Sequence, residues 1–201
     1  MFITKNSQEI ITREERIKKV SFWVEGMIRD LGLDMDSIHL KDSPERIARM
    51  YVDEIFSGIY NDQPKFTVFD NAKKVDEMVF LGGIDLFSTC SHHFKSFQGK
   101  AYIAYLPGDK LVGISKLARI TDWFARRPQV QEDLTAEIAN FLVDKLQPKG
   151  LGVHITAIHN CIRVRGAKQS TSEMKTTALR GCFRSDKTVS DEFMWMINQM
   201  K

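Results

Sequence analysis

Residues 88–107 read STCSHHFKSFQGKAYIAYLP. From Phe97 to Leu106 the run is rich in aromatic and β-branched residues and alternates with the period of two that turns one side of a strand inward. PGDK, 107–110, supplies the residues of its closing turn. Just ahead of this strand stand Cys90 and the adjacent His92 and His93, side-chain types that bind metal ions. A strand fed by a loop of soft ligands is the element around which the rest of the chain is read.

Upstream, 66–69 and 78–90 carry the same strand composition. Downstream, LGVHITAIHNCIRVRG, 151–166, alternates, so that Val153, Ile155, Ala157, His159, Cys161, Arg163 and Arg165 are expected on one strand face. Between these strands lie two helical patterns. Ser115 is expected to cap the first, which carries Leu117, Ile120 and Phe124; Pro128 interrupts it before a second with Leu134, Ile138, Phe141 and Leu142. After 166, AKQSTSEMKTT connects or extends a strand into ALRGCF. A last helix, capped near Ser190, is expected to turn Phe193, Met196, Ile197 and Met200 inward.

The N-terminal part is helical. From Arg13, the residues Ile17, Val20, Val24, Met27, Ile28 and Leu31 follow the spacing of one apolar stripe, ended by GLD at 32–34. DSPERIARMYVDEIFSG, 42–58, offers Ser43 as N-cap, Pro44 at the first helical position and Gly58 as a stop, with Ile47, Met50, Tyr51 and Ile55 buried. Helices beside strand pairs, without regular βαβ alternation, predict an α+β fold. A helical region over 1–62 and a sheet-bearing region over 63–201 are expected to form one continuous domain.

With 201 residues, 43% hydrophobic and 27% charged, the composition is that of a soluble globular protein with a buried core. A net charge of +3 is too small to imply a nucleic-acid partner. Cys90, Cys161 and Cys182 are an odd, widely spaced set, poor material for a disulfide framework, which favours a reducing, cytoplasmic setting. The N-terminus lacks an apolar leader segment, and no run of about 18 apolar residues is present to span a bilayer.

A metal site needs three or four ligands, and Cys90 with one of the two histidines supplies only two. On extended chain, adjacent histidines point to opposite sides, so one is expected at the metal and the other elsewhere. Cys161, with His159 two residues before it, is the natural distant candidate. The bland alternative, cysteine as a small hydrophobe and histidine held by hydrogen bonds, is preferred for Cys182, His154 and His39. GISKLAR places Ser115, Lys116 and Arg119 at a helix start that favours anions, though a capped helix with solvated basic residues explains it as well. Arg46 and Arg165 carry the same ambiguity. Gln131 and Glu132 open a helix, where an amide and a carboxylate can read a guanine-like base or simply suit the helix dipole.

Together, DSPERIARMYVDEIFSG, STCSHHFKSFQGKAYIAYLP, VGISKLARITDWFARRPQVQEDLT and AIHNCIRVRGAKQSTS resemble, in order and spacing, the GTP cyclohydrolase I family, over about Ser43 to Ile197. The resemblance implies a tunnelling fold, an antiparallel sheet with helices on one face, assembled as a homodecamer of two pentameric rings with active sites between subunits. It implies zinc on Cys90, His93 and Cys161, and proton transfer by His92 and His159. Gln131 and Glu132 would anchor the base of GTP, and Ser115, Lys116, Arg119, Arg165 and Arg46 its triphosphate, with Arg46 reaching a neighbour's site. The implied products are formate and 7,8-dihydroneopterin triphosphate; the pathway that uses them, folate, another pterin or 7-deazaguanine, stays open. The chain departs from the family's usual Cys-Glu-His-His pattern at Ser91, which bears on rate, zinc affinity and assembly. Two rival readings are a zinc-stapled nucleotide binder without turnover, and a reductase of 7-deazaguanine nitriles. The second is disfavoured because that chemistry uses a cysteine nucleophile and a nicotinamide cofactor.

Overall fold

A computed structural model describes residues 11–200. The first ten residues, which include most of the segment read as lacking an apolar leader, lie outside the described residues, as does Lys201. The chain divides into two compact units, Met1–Asn61 and Asp62–Lys201.

In the first unit, α1 (Arg13–Asp30) opens with a capping box: Thr12 Oγ1 accepts from the Glu15 amide, and the Glu15 carboxylate accepts from the Thr12 amide. Its inward residues are Ile17, Val24 and Ile28; Met27 and Leu31, expected on the same stripe, are exposed. The second expected helix is broken into three parts: α2 (Ser43–Arg49), a π-helical stretch (Met50–Ile55) and α3 (Ser57–Tyr60). Ser43 is the first helical residue, not the cap, a position that falls to Asp42 without a side-chain bond. The wide π turn, marked by Phe56 N–H bonding to Tyr51 C=O, resets which side faces in. Ala48, Val52 and Phe56 are buried in place of Ile47, Met50, Tyr51 and Ile55, which are half-buried or exposed.

The second unit is built on strands β1 (Val68–Asp70), β2 (Val79–Cys90), β3 (Ser96–Leu106) and β4 (Lys110–Val112). Helix α4 (Ile114–Ala125), the two-residue β5 (Pro128–Gln129) and helix α5 (Gln131–Leu146) follow. The chain ends in β6 (Gly150–His159), the turn α6 (Asn160–Arg163), β7 (Met174–Gly181), the turn α7 (Cys182–Ser185) and α8 (Lys187–Asn198). The main sheet has the order β5-β2-β3-β6-β7, antiparallel except for the short β5, and β1 pairs with β4 apart from it.

Alternation along β3 splits the core in two. Ala101, Ile103 and Tyr105 face α4 and α5, packing with Leu86, Val153 and Ile155 against Leu117, Ile120, Leu134, Ile138 and Leu142. Each buried Leu, Ile or Val here contributes about 1.5–3 kcal/mol, which makes this face the main source of stability. Tyr102 and Ala104 point the other way and meet Phe183, Phe193 and Ile197. The two long helices thus cover one face, and α8 covers part of the other. Met200, expected inward, is half exposed past the end of α8.

Two predicted boundaries move. α4 begins at Ile114 with Gly113 in the cap position, so Ser115 is an exposed first-turn residue and caps nothing. The β6 strand ends at His159, so Cys161, Arg163 and Arg165 do not share its face. β3 starts at Ser96 and its Phe97 is the partner of His159, leaving no β3 backbone for Cys161 or later residues to pair with.

Gly99 sits two residues from that last pair, where a Cβ would collide with the Thr156 carbonyl oxygen and lie 2.7 Å from Ala157 Cα. Both obstacles are backbone, so the β3–β6 ladder itself would have to move. Gly99→Ala should therefore lower stability by about 2–3 kcal/mol, seen as a lower urea midpoint with unchanged slope; an unshifted midpoint would refute this close approach.

Candidate active site

Three chain segments converge at one end of the sheet. Cys90 is the last residue of β2, and the loop after it is tightly closed: Phe94 N–H bonds to Cys90 C=O and Cys90 N–H to Lys95 C=O. Phe94 adopts positive φ to make the turn. From the other side β5 runs parallel to the end of β2, with Gln129 opposite Cys90 and the Ser91 N–H bonded to Gln129 C=O. At Ser91 the loop is thus held through its backbone, whatever the side chain.

Gln129 was not singled out in the sequence, where RPQ reads only as a break between helices. It is buried, and its Nε2 donates to the Phe124 carbonyl at 2.6 Å and lies 3.3 Å from Ser88 Oγ. This amide ties the end of α4 to the strand that carries Cys90.

The turn α6 brings Cys161 back toward β2 once the strand has run out of partner. Asn160 Nδ2 bonds to Ser96 Oγ at 3.0 Å and anchors the turn to the start of β3. As a result one ligand atom each from Cys90, His93 and Cys161 lies within 4.8 Å of the others. A tetrahedral zinc with Zn–S of ~2.3 Å needs donors about 3.8 Å apart, so this trio needs only a small contraction. Both thiols are buried, and His93 is exposed. Burial holds the Cys161 thiol above its ordinary range, and the Cys90 sulfur adds to this by charge repulsion and hydrogen bonding. A cation relieves that repulsion, and two thiolates with one imidazole suit a soft divalent ion.

His92 and His93 lie on a turn, not on extended chain, with ring centroids 6.4 Å apart and planes at 80°. His92 Nδ1 is 3.9 Å from Cys90 Sγ, so the second histidine stays beside the site instead of pointing away.

His159 is fixed in two ways. Its ring stacks on Phe97 at 4.5 Å with planes 6° apart, and its Nε2 is 2.8 Å from Gln131 Oε1. Burial lowers its pKa, opposed by the Glu132 carboxylate on the first turn of α5. Glu132 is exposed, whereas Gln131 is fully buried with its amide nitrogen within 3.1 Å of Ile155 C=O, Met174 C=O and Thr176 Oγ1. The Gln131 side chain thus meets β6, β7 and the His159 ring.

The expected phosphate ligands are more dispersed. Lys116 is half-buried and Arg119 exposed on α4. Arg165 is exposed beyond α6, its Nη1 3.5 Å from Cys161 C=O. Arg46 lies in the first unit, exposed on α2 and paired with Asp42 at 3.3 Å. The histidine and cysteine set aside as structural behave so: His154 is buried with Thr177 and Thr156 hydroxyls at 2.7 and 3.2 Å, and Cys182 is a half-buried free thiol. Among the described residues no helix is long and apolar enough to cross a membrane.

The family model described as GTP cyclohydrolase I matches residues 21–198. The chain is 44% identical over 187 residues to GTP cyclohydrolase 1 of Serratia proteamaculans (strain 568), covering 92% of this chain and 85% of that one. It is 45% identical over 193 residues to GTP cyclohydrolase 1 of Shewanella sp. (strain ANA-3), covering 96% and 88%. Against GTP cyclohydrolase 1 of Photobacterium profundum it is 43% identical over 191 residues, covering 94% and 88%. Among solved structures, an archaeosine synthase QueF-Like in the apo form aligns with a TM-score of 0.42 at 17% identity, over 52% of this chain and 93% of that one.

Metal binding at the trio must displace thiol protons, so affinity should rise with pH while the thiols are protonated, by up to about a hundredfold per unit. Chelator competition at several pH values checks this; a flat profile would exclude the two cysteines. Cys90→Ala, His93→Ala and Cys161→Ala should each cut bound metal at least ~10-fold, while His159→Ala keeps it.

Proposed function

Because the chain belongs to the GTP cyclohydrolase I family, we propose that it converts GTP to 7,8-dihydroneopterin triphosphate and formate in a zinc-dependent reaction. Its sheet and helices have that family's tunnelling fold. The observation that carries the reading is the meeting of Cys90, His93 and Cys161 beside a histidine held in place by Gln131 and Phe97.

Cys90, His93 and Cys161 would hold the metal. A zinc ion there would supply Lewis acidity toward water at neutral pH. Around it the chain's own groups move protons and fix the substrate. His159 gives a proton to N7 of the purine as water adds at C8. His92, beside the Cys90 sulfur, serves the later transfers in which the imidazole ring opens and C8 departs as formate. The lowered pKa of His159 makes its protonated form a stronger acid, and the Glu132 charge limits how far that lowering goes.

Glu132, exposed at the start of α5, would take the amidine edge of guanine. Ser115, Lys116 and Arg119 on α4, Arg165 beyond α6, and Arg46 of a neighbouring copy would hold the triphosphate. Binding that remote group sets C8 against the reacting water, so part of the barrier is met by phosphate contacts.

Assembly into a decamer with intersubunit sites is part of the same proposal. Among the described residues β7 has β6 on one side only, and β2 has just the two-residue β5 outside it, so the sheet offers two long edges that other strands would satisfy. Phe22, Trp23 and Met27 on α1, with Leu31 just past its end, are exposed in the single chain, a second surface that suits burial between copies.

Zinc-loaded protein given GTP should release formate and, after oxidation, yield a fluorescent pterin; loss of both products from a purified decamer would refute the activity. His159→Ala should keep its zinc and slow ring opening by about 10²–10⁴-fold. Parent turnover in that variant would remove His159 from proton transfer.

A further inference from the structure

The hydrogen bonds around Gln131 have a fixed direction, and that direction reaches His159. Gln131 Nε2 faces the carbonyl oxygens of Ile155 and Met174, each at 3.1 Å. Neither oxygen can donate, so the amide cannot be turned over without setting oxygen against oxygen. Its nitrogen therefore faces the strands, and Oε1, which only accepts, faces His159 Nε2 at 2.8 Å. The hydroxyls agree. Thr135 Oγ1 donates to the Gln131 carbonyl at 2.7 Å, which leaves it to accept from Thr176 Oγ1 at 2.6 Å. Thr176, its proton so placed, accepts from Gln131 Nε2 at 3.1 Å.

We infer that Gln131 is a positioning residue: it holds His159 as the Nε2–H tautomer and leaves Nδ1 as the nitrogen that meets the substrate, and its side chain does not read the base. This rests on the chain being a GTP cyclohydrolase only for the identity of the substrate. Three constraints define the ring: the strand sets its Cα, the Phe97 stack sets its plane, and Gln131 sets its rotation within that plane. In the proton transfer, the Nδ1–H bond of the imidazolium breaks and an N7–H bond forms on the purine. The electron pair stays on Nδ1, and the product is the neutral Nε2–H ring that Gln131 already favours. Base recognition then falls to Glu132 and to backbone groups.

The test uses zinc-loaded protein labelled with 15N-histidine, the His159 signals identified by their loss in His159→Asn. Solid-state NMR of the parent should show, in neutral His159, a protonated Nε2 and an unprotonated Nδ1; the opposite tautomer overturns the proposal. Gln131→Met should abolish that preference and lower kcat for formate by about 10²-fold, with KM for GTP within about twofold. A large rise in KM with kcat kept would return Gln131 to base recognition and overturn the proposal. Should Gln131→Met fail to assemble, Thr176→Val removes one partner of the amide while leaving Oε1. It should lower kcat about threefold to tenfold without moving KM, and an unchanged kcat would count against the chain of hydrogen bonds. If the parent released no formate, the activity would be wrong, while the tautomer would still decide the role of Gln131.

Discussion

Phe97 and His159 close the β3–β6 ladder, and β3 begins only one residue before Phe97, at Ser96. The chain beyond His159 thus has no strand to pair with and must turn. That shortage of backbone partners makes the α6 turn, and the turn carries Cys161 to Cys90. The same pair stacks Phe97 on the imidazole, so the end of the sheet fixes the Cys90–His93–Cys161 cluster and the His159 ring together. A ladder two residues longer would keep Cys161 extended, and a register slip would turn His159 to the opposite face.

How legible this was depends on which physical signal each element emits. Strands β2, β3 and β6 and helices α4 and α5 were readable because alternation and helical spacing follow from burying one face. Strand ends were not, because they depend on where the partner stops. Hence the expectation that Cys161, Arg163 and Arg165 would share the His159 face. The π stretch at Met50–Ile55 leaves an ordinary helical composition and moves the buried stripe only through backbone geometry. Ser115 looked like a cap because serine favours that position, while Gly113 occupies it.

The site was legible in its residue types more than in its roles. Cys161 was a candidate partner of Cys90 from its residue type and the neighbouring His159, but only the resemblance of whole segments singled out Cys90, His93 and Cys161 as the set, since nothing in local spacing joins residues so far apart in the chain. The burial of Gln131 was not readable because a polar residue at a helix start is ordinarily exposed. Its burial is set by β6 and β7 pressing on α5, a tertiary fact, and so are Thr135, Thr176 and Gln129, which sequence alone gave no reason to choose.

The clasp between Gln131 and Met174 has a mechanical side. Met174 opens β7, which lies at the rim of the sheet, and rim strands fray first from their ends. Here the first residue of the rim is latched to the buried start of a core helix by the same amide that steers the imidazole. Fraying at that corner and wandering of the His159 ring are consequently a single motion. The vulnerability of this enzyme to heat would appear as blunted chemistry before any loss of its bulk helical signal.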